Sequence, residues 1–211
     1  MHIQDMILLV IGREKEKRLR ERTTLQKKLY FLSVLKGVDL GFHPNYYGPY
    51  SSWVAENLDI LVNCGFLKEI METFSTDRNI FGEIRRHTYS LTSDGEIVLK
   101  KISQEDEYQR WQDALEYINA QPLANNFKKL SIAAKVHYIA NMKELTPKLI
   151  REITKAYGWH IRGLEIQELF LFFEALTTPP DKKVKNGEKQ RQISDDKYSV
   201  PPKQLSITGL T

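Results

Sequence analysis

The pattern of apolar and polar residues predicts a chain made mostly of helices. Residues 3–18 have an apolar beginning and a charged end, and residues 24–36 repeat leucines at helical spacing. Thr23 and Gln26 form a candidate capping box for the second of these helices. Residues 52–64 give another amphipathic helix, so three helices are predicted before the first pair of strands.

Two runs of β-branched and aromatic residues follow the third helix. They cover residues 66–74 and 81–91 and flank a polar loop, and they therefore predict a β-hairpin. A further helix begins at a second candidate capping box, Ser93 with Glu96, and is broken near Ser103. Helix, strand, loop, strand and capped helix is the order of elements in a winged helix-turn-helix domain.

The chain after Pro122 predicts three more helices, over residues 127–142, 147–157 and 164–176. The second of them begins at Thr146, a capping residue that is followed by proline. The last is apolar on several sides, which favours its insertion between other helices or into a partner.

We therefore predict a mainly helical α+β protein with three parts. Residues 1–120 would form a winged helix-turn-helix domain whose wing is the two-stranded β-hairpin, and residues 121–178 a C-terminal helical extension. Residues 179–211 are polar and contain two Pro-Pro pairs, so we expect a largely extended tail.

The net charge does little to distinguish a nucleic-acid partner from a protein partner. The 211 residues carry a charge of +4, but residues 179–211 contain seven Lys or Arg and four Asp or Glu. The remaining 24 basic and 23 acidic residues leave only +1 on the rest of the chain. The basic excess therefore argues only weakly for a nucleic-acid partner.

The expected location is the cytoplasm of a prokaryote or a phage-infected cell, without a membrane partner. Cys64 is the single cysteine, which excludes a disulfide within the chain and fits a reducing compartment; we expect its thiol to be buried. The longest early apolar run, residues 6–11, is far too short to cross a bilayer, and it lacks the features of a signal peptide.

The connector between the second and third helices is unusually aromatic. It is either a packed loop that closes the core or a recognition surface, since Tyr and Trp provide a large contact area at low entropic cost. The residues that would form this surface are Tyr46, Tyr47, Gly48, Pro49 and Tyr50, with Trp53 at the start of the third helix.

The third helix has the place of a DNA-recognition helix, but its outward side is acidic. Two carboxylates on that side would repel phosphates. The outward residues are Ser52, Glu56, Asp59 and Asn63.

Basic residues lie instead on the hairpin and near the second helix. They would either contact nucleic acid or form solvated faces paired with nearby glutamates. The candidates are Arg78, Arg85 and Arg86 on the hairpin, and Arg20, Arg22 and Lys28 near the second helix.

The sequence contains no recognisable catalytic motif. It lacks a phosphate-binding glycine loop, a His-Glu-x-x-His zinc motif and a Gly-x-Ser-x-Gly elbow, and its five histidines have no metal-ligand spacing. We expect no catalytic residue, no metal and no cofactor.

The residues from Leu25 to Leu32, followed by the aromatic connector with its Tyr47-Gly48-Pro49-Tyr50 turn, resemble the Panacea (SocA-like) domain and the related YwgA-like proteins. In these families a Lys-Leu-x-Tyr helix precedes an aromatic strand and a Gly-Pro turn. The resemblance implies an antitoxin or adaptor module that neutralises toxins by direct contact, often encoded beside toxin genes or in phage-defence loci. The corresponding surface would involve Lys27, Tyr30, Tyr47, Gly48, Pro49 and Tyr50.

Together these features favour a non-enzymatic winged-helix binding module that acts as an antitoxin or a defence-system regulator through protein–protein contacts. Its partner would be a toxin or another defence component. The alternative is a DNA-binding transcription regulator that uses the basic hairpin and basic patches and forms a homodimer through its C-terminal helices. An enzyme with a site assembled from scattered residues is a third alternative.

Overall fold

The computed structural model describes residues 1–74, 84–140 and 144–177. These residues contain eight α-helices and a three-stranded antiparallel sheet, which confirms the predicted mainly helical α+β class. The helices are α1 (Ile3–Gly12), α2 (Arg22–Lys36), α3 (Ser52–Asn63), α4 (Ser93–Ile102), α5 (Asp106–Asn119), α6 (Phe127–Ala140), α7 (Pro147–Ala156) and α8 (Gly163–Thr177). The strands are β1 (Arg18–Arg20), β2 (Leu67–Phe74) and β3 (Ile84–Leu91).

Helix α1 lies at the centre of the fold. All residues from Met6 to Ile11 are buried, because the helix contacts α2, α3, α4 and β3 on different sides. A helix that is apolar all round is stable where other elements cover it in this way. The sequence pattern predicts a buried face of Val54, Leu58, Leu61 and Val62 on α3; the first three are buried and Val62 is half-buried.

The sheet has one strand more than the sequence predicts. β3 is the central strand, and Tyr89 lies opposite Leu19 of β1 on one side and Glu69 of β2 on the other. The strand β1 places the buried Leu19 between two exposed arginines, but its three residues are too few for the alternation over four to eight residues by which a strand is recognised.

The prediction of a helix over residues 3–18 is therefore wrong after Gly12. Glu16, Lys17 and Glu21 have φ angles of 58°, 51° and 71°, in the left-handed region that non-glycine residues rarely adopt. These residues flank β1 and redirect the backbone into and out of the strand. The hydrogen bonds between β1 and β3 offset the conformational cost.

Both predicted capping boxes are wrong. Helix α2 begins at Arg22, and the side chain of Gln26 contacts the backbone of Ser51 instead of its own helix. Helix α4 is capped by Thr92, whose hydroxyl accepts a hydrogen bond from the Gly95 N–H at 3.1 Å. Helix α2 has no side-chain cap, whereas at α4 the residue before the predicted cap provides the hydrogen bond.

The three predicted C-terminal helices are present; α6 and α8 pack on α2, and α7 packs on α6 and α8. The rings of Phe31 in α2 and Phe172 in α8 meet edge to face with centroids 4.9 Å apart, and α6 contacts α2, α7 and α8. Thr146 caps α7 as predicted, by accepting a hydrogen bond from the Leu149 N–H at 3.2 Å. The predicted break near Ser103 separates α4 from α5.

Cys64 is exposed and not buried as expected, because it follows the last turn of α3. No helix within the described ranges is long and apolar enough to cross a membrane. The predicted loop of the hairpin, the end of the helix predicted over residues 127–142 and the tail lie outside the described residues.

Candidate functional site

The aromatic turn, which we define as residues 42–50, is closed by its own backbone. His43 and Tyr50 form an antiparallel bridge with N···O distances of 2.9 and 3.0 Å. Inside this bridge the Gly48 N–H donates to the Asn45 carbonyl oxygen at 2.8 Å. Gly48 has a φ of 97°, which glycine adopts at little steric cost. The turn therefore has a defined backbone conformation.

Gln26 of α2 attaches the end of the turn to the core. Its amide nitrogen donates to the Ser51 carbonyl oxygen, and its amide oxygen accepts from the Ser51 N–H, both at 2.9 Å. The Ser51 hydroxyl accepts from the Val54 N–H at 3.2 Å and donates to the Leu40 carbonyl oxygen at 2.5 Å. Gln26 and Ser51 are both buried, so these bonds replace the ones that water would make.

Lys27 lies directly beneath the turn. Its side chain is 2% exposed, and Nζ donates to the Pro49 carbonyl oxygen at 2.8 Å. A Cβ atom on Gly48 would lie 3.3 Å from Nζ of Lys27 and 2.9 Å from Cγ of Lys135, so the glycine backbone passes between two lysines. Burial and the charge of Lys135 lower the pKa of Lys27 to about 8.

Tyr30 connects the turn to α6. Its ring meets Phe42 edge to face with centroids 5.2 Å apart, and its hydroxyl lies 2.7 Å from Nδ1 of His137. Burial raises the pKa of Tyr30 and lowers the pKa of His137 to about 4. Both groups are therefore neutral near pH ~7, and the hydroxyl donates to the imidazole nitrogen.

Three aromatic side chains on or beside the turn face solvent. Tyr46 is 85% exposed, Tyr47 63% and Trp53 52%. The two tyrosine rings meet edge to face with centroids 5.0 Å apart. The indole of Trp53 covers Gly41, where a Cβ atom would lie 3.1 Å from the ring.

The residues predicted to bind a partner are thus brought together, but in two groups. The exposed group could contact another molecule directly and consists of Tyr46, Tyr47 and Trp53. The supporting group is buried or half-buried and consists of Lys27, Tyr30, Gly48, Pro49 and Tyr50.

A cleft beside the turn contains residues that the sequence did not suggest. Its volume is about 560 Å³, and Lys135 lies in it with Nζ 5.2 Å from the ring centroid of Trp159 and 5.9 Å from that of Tyr46. On the side away from the turn the cleft is lined by Lys135, Tyr138, Ile139, Tyr157 and Trp159. These residues lie on α6 and after α7, and no spacing rule connects them to the turn.

The outer face of the sheet carries part of the predicted basic set. Arg20 is exposed there, and Arg86 donates to a carboxylate oxygen of Glu21 at 3.2 Å. A groove of about 660 Å³ on this face also contains three further cations. They are Lys15, Arg18 and Lys68.

The other predicted basic residues do not add unpaired positive charges to this groove. Lys28 is buried and pairs with Glu14, and Arg22 pairs with Asp59 of α3. Arg78 and the side chain of Arg85 lie outside the described part of the structure.

Arg22 belongs to a polar cluster that connects the sheet to α3. The Tyr89 hydroxyl donates to Glu69 and accepts from Nε of Arg22 at 2.6 Å, and Nδ1 of His87 lies 2.7 Å from the Glu69 carboxylate. Burial alone would raise the pKa of Glu69, but hydrogen bonds from Tyr89 and His87 hold it below its ordinary value. Because Arg22 also pairs with Asp59, the cluster includes both the hairpin and the helix before it.

The outward side of α3 is less acidic than predicted, because Arg22 pairs with Asp59 and leaves Glu56 as the exposed carboxylate without an ion pair among the described residues. Ser52, Glu56 and Asn63 are exposed, and Asp59 is half-buried beside Arg22. Among the described residues no group of three or more His, Cys, Asp or Glu is placed to hold a metal ion. No protein-family model and no curated protein matches this chain.

Proposed function

We propose that this protein is a non-enzymatic winged-helix binding module whose aromatic turn docks on another protein. The order α1, β1, α2, α3, β2, β3 supports the winged-helix assignment, because β1 lies between the first two helices and joins the hairpin at β3. The exposed Glu56 on the outward side of α3 supports a protein partner over DNA, since a carboxylate on a recognition helix repels phosphates.

The observation that carries the proposal is a set of exposed aromatic side chains on a buried support. Tyr46, Tyr47 and Trp53 offer large apolar contact areas, and residues of this kind dominate the binding energy of protein interfaces. Gln26 and Lys27 already hold the backbone beneath them. Little conformational entropy is therefore lost when the turn is buried by a partner.

The resemblance to Panacea domains defines the class of partner in this proposal. The turn would contact a toxin or another component of a defence system, and the protein would act as its antitoxin or regulator. Binding would cover an active or assembly surface of the partner, so no chemical step on this chain is needed.

The experiment is co-expression with the products of adjacent genes, followed by calorimetry on the purified complex. Tyr47→Ala and Trp53→Ala should each weaken the complex by about 2 kcal/mol, which is roughly thirtyfold in Kd. Phe127→Ala removes an equally exposed aromatic side chain on α6 and serves as the control. Unchanged affinity in both turn variants would exclude the aromatic turn as the docking surface.

DNA binding by the outer face of the sheet is a second candidate with one specific observation in its favour. Lys15, Arg18, Arg20 and Lys68 line one groove there, and none of them forms an ion pair with a described residue. Cations that are not neutralised internally are the ones that can displace counterions from phosphates.

A DNA-binding form would be expected to dimerise, because paired half-sites match a protein two-fold axis. The C-terminal helix offers a surface for this, since Leu164 and Leu171 of α8 are 81% and 54% exposed.

A further inference from the structure

The cleft beside the aromatic turn contains positive charge without a negative counterpart. Lys135 lies within the cleft, and Lys27 lies beneath its wall on the other side of Gly48. None of the described residues lining the cleft carries a carboxylate. Nζ of Lys27 donates to a neutral acceptor, the Pro49 carbonyl oxygen.

The charged forms of both lysines are therefore disfavoured. Burial lowers the pKa of both lysines, and the charge of Lys135 lowers that of Lys27 further. An anion placed in the cleft would relieve both effects, because it would attract each charge in a partly desolvated setting.

We propose that this cleft binds an acidic segment of the partner protein, with a carboxylate beside Lys135 and an adjoining apolar side chain against the aromatic walls. This inference depends on the proposed function, because it names the chemistry of the segment that meets the aromatic turn. Lys135 would contact the carboxylate directly, whereas Lys27, which is 2% exposed, would add its charge from beneath.

The shape of the surface favours a peptide over a small free anion. A second cleft of about 650 Å³ shares Pro44, Tyr138, Ile139 and Tyr157 with the first and extends toward Tyr30. An extended segment could therefore place one side chain in each cleft. A lone anion beside Lys135 would leave the stacked rings of Tyr157 and Trp159 uncovered.

The test is selection from a random peptide library on the immobilised full chain, followed by fluorescence anisotropy with the tightest selected peptide. We expect the selected peptides to share an Asp or Glu next to an apolar residue. Lys135→Ala should weaken their binding roughly tenfold or more, since a hydrogen bond to a charged group is worth about 1.5–3 kcal/mol. Lys128→Ala removes an exposed lysine from the same helix outside the cleft and should have no effect.

Several results would overturn the inference. They are selection of neutral or basic peptides, equal binding by the Lys135→Ala and Lys128→Ala variants, tighter binding of a single-stranded oligonucleotide than of any peptide, and failure to select any binder. Selected peptides that are not acidic but still require Tyr47 would reject the acidic segment and leave the aromatic turn as a docking surface. Acidic peptides that require Lys135 but not Tyr47 would support the acidic segment and reject the aromatic turn as a docking surface.

Discussion

At Lys27 a charged side chain lies under a surface turn, where its ammonium satisfies the Pro49 carbonyl oxygen but is kept from water. Its pKa of about 8, against 10.5 for an ordinary lysine, means that the charged form is disfavoured in the folded chain. Keeping Lys27 charged in the folded chain near neutral pH therefore costs about 3 kcal/mol of stability, since one pKa unit corresponds to 1.36 kcal/mol. A loss of stability of this size at a buried position beside the exposed tyrosines agrees with a functional use of the charge.

We predict that Lys27→Met changes how stability depends on pH. Between pH 8 and 10.5 the unfolded chain retains a proton on Lys27 that the folded chain has released, so the wild-type free energy of unfolding rises with pH over this range. The methionine variant keeps the apolar stem but cannot titrate. Relative to it, the wild type should gain up to about 3 kcal/mol between neutral pH and about pH 10.

Urea unfolding of both proteins at the two pH values measures this difference. All other ionisable groups are present in both proteins, so their effects largely cancel in the comparison. A constant difference in unfolding free energy would show that Lys27 is not held in a disfavoured charged state.

At the scale of elements, β1 and the polar cluster explain how the hairpin is oriented relative to α3. The strand β1 adds hydrogen bonds to the free edge of β3, and Tyr89 on that central strand contacts both Glu69 and Arg22. Arg22 begins α2 and reaches Asp59 of α3. Three elements therefore meet at one buried tyrosine hydroxyl, and Arg22 connects them to α3.

We predict that Tyr89→Phe destabilises the protein by about 1–3 kcal/mol, because it removes two hydrogen bonds, both to charged groups, from a buried position. Tyr117→Phe is the matched control, since its hydroxyl makes one hydrogen bond to the Ala175 carbonyl oxygen at 3.0 Å. The control should cost about 1 kcal/mol or less. Thermal or urea unfolding of the two variants compares them, and equal losses would mean that the cluster contributes no more than a single neutral bond.

At the scale of the whole molecule, the two proposed binding surfaces lie on different parts of the fold. The aromatic turn and its cleft are formed by α2, the connector and the C-terminal helices. The groove with Lys15, Arg18, Arg20 and Lys68, which we call the basic groove, is formed by the outer face of the sheet and the beginning of α6. Residues 1–177 form one compact unit, so both surfaces belong to the same body. His137 helps to join its parts, and with a pKa of about 4 it stays neutral in this role.

The basic groove gives a prediction for the second candidate function. If it binds DNA, Arg18→Glu with Arg20→Glu should abolish binding of a duplex from the gene's own promoter region, and wild-type affinity should fall steeply with added salt. Lys100→Glu with Lys101→Glu makes the same charge change on exposed residues of α4 and is the control. Fluorescence anisotropy at low and raised salt measures both effects. Absence of wild-type binding at low salt, or equal losses in both variants, would remove DNA from consideration.

The apolar periodicity of the chain was enough to predict most helices, the hairpin and the buried face of α3, because these depend on which residues of a short segment leave water. It also identified the aromatic turn, whose Gly-Pro pair and tyrosines are adjacent in sequence. What periodicity could not supply was β1, since a short charged strand exists only because β3 offers it hydrogen bonds.

The same limit applies to the candidate site. Lys27 and Tyr30 could be associated with the turn, but whether their side chains face solvent or the core depends on contacts with Pro49 and His137. The cleft with Lys135 and Trp159 could not be predicted from sequence patterns, because it forms where segments distant along the chain pack together. The free energy of forming a helix or a turn depends mainly on neighbouring residues, whereas the burial of a charge depends on every element that surrounds it.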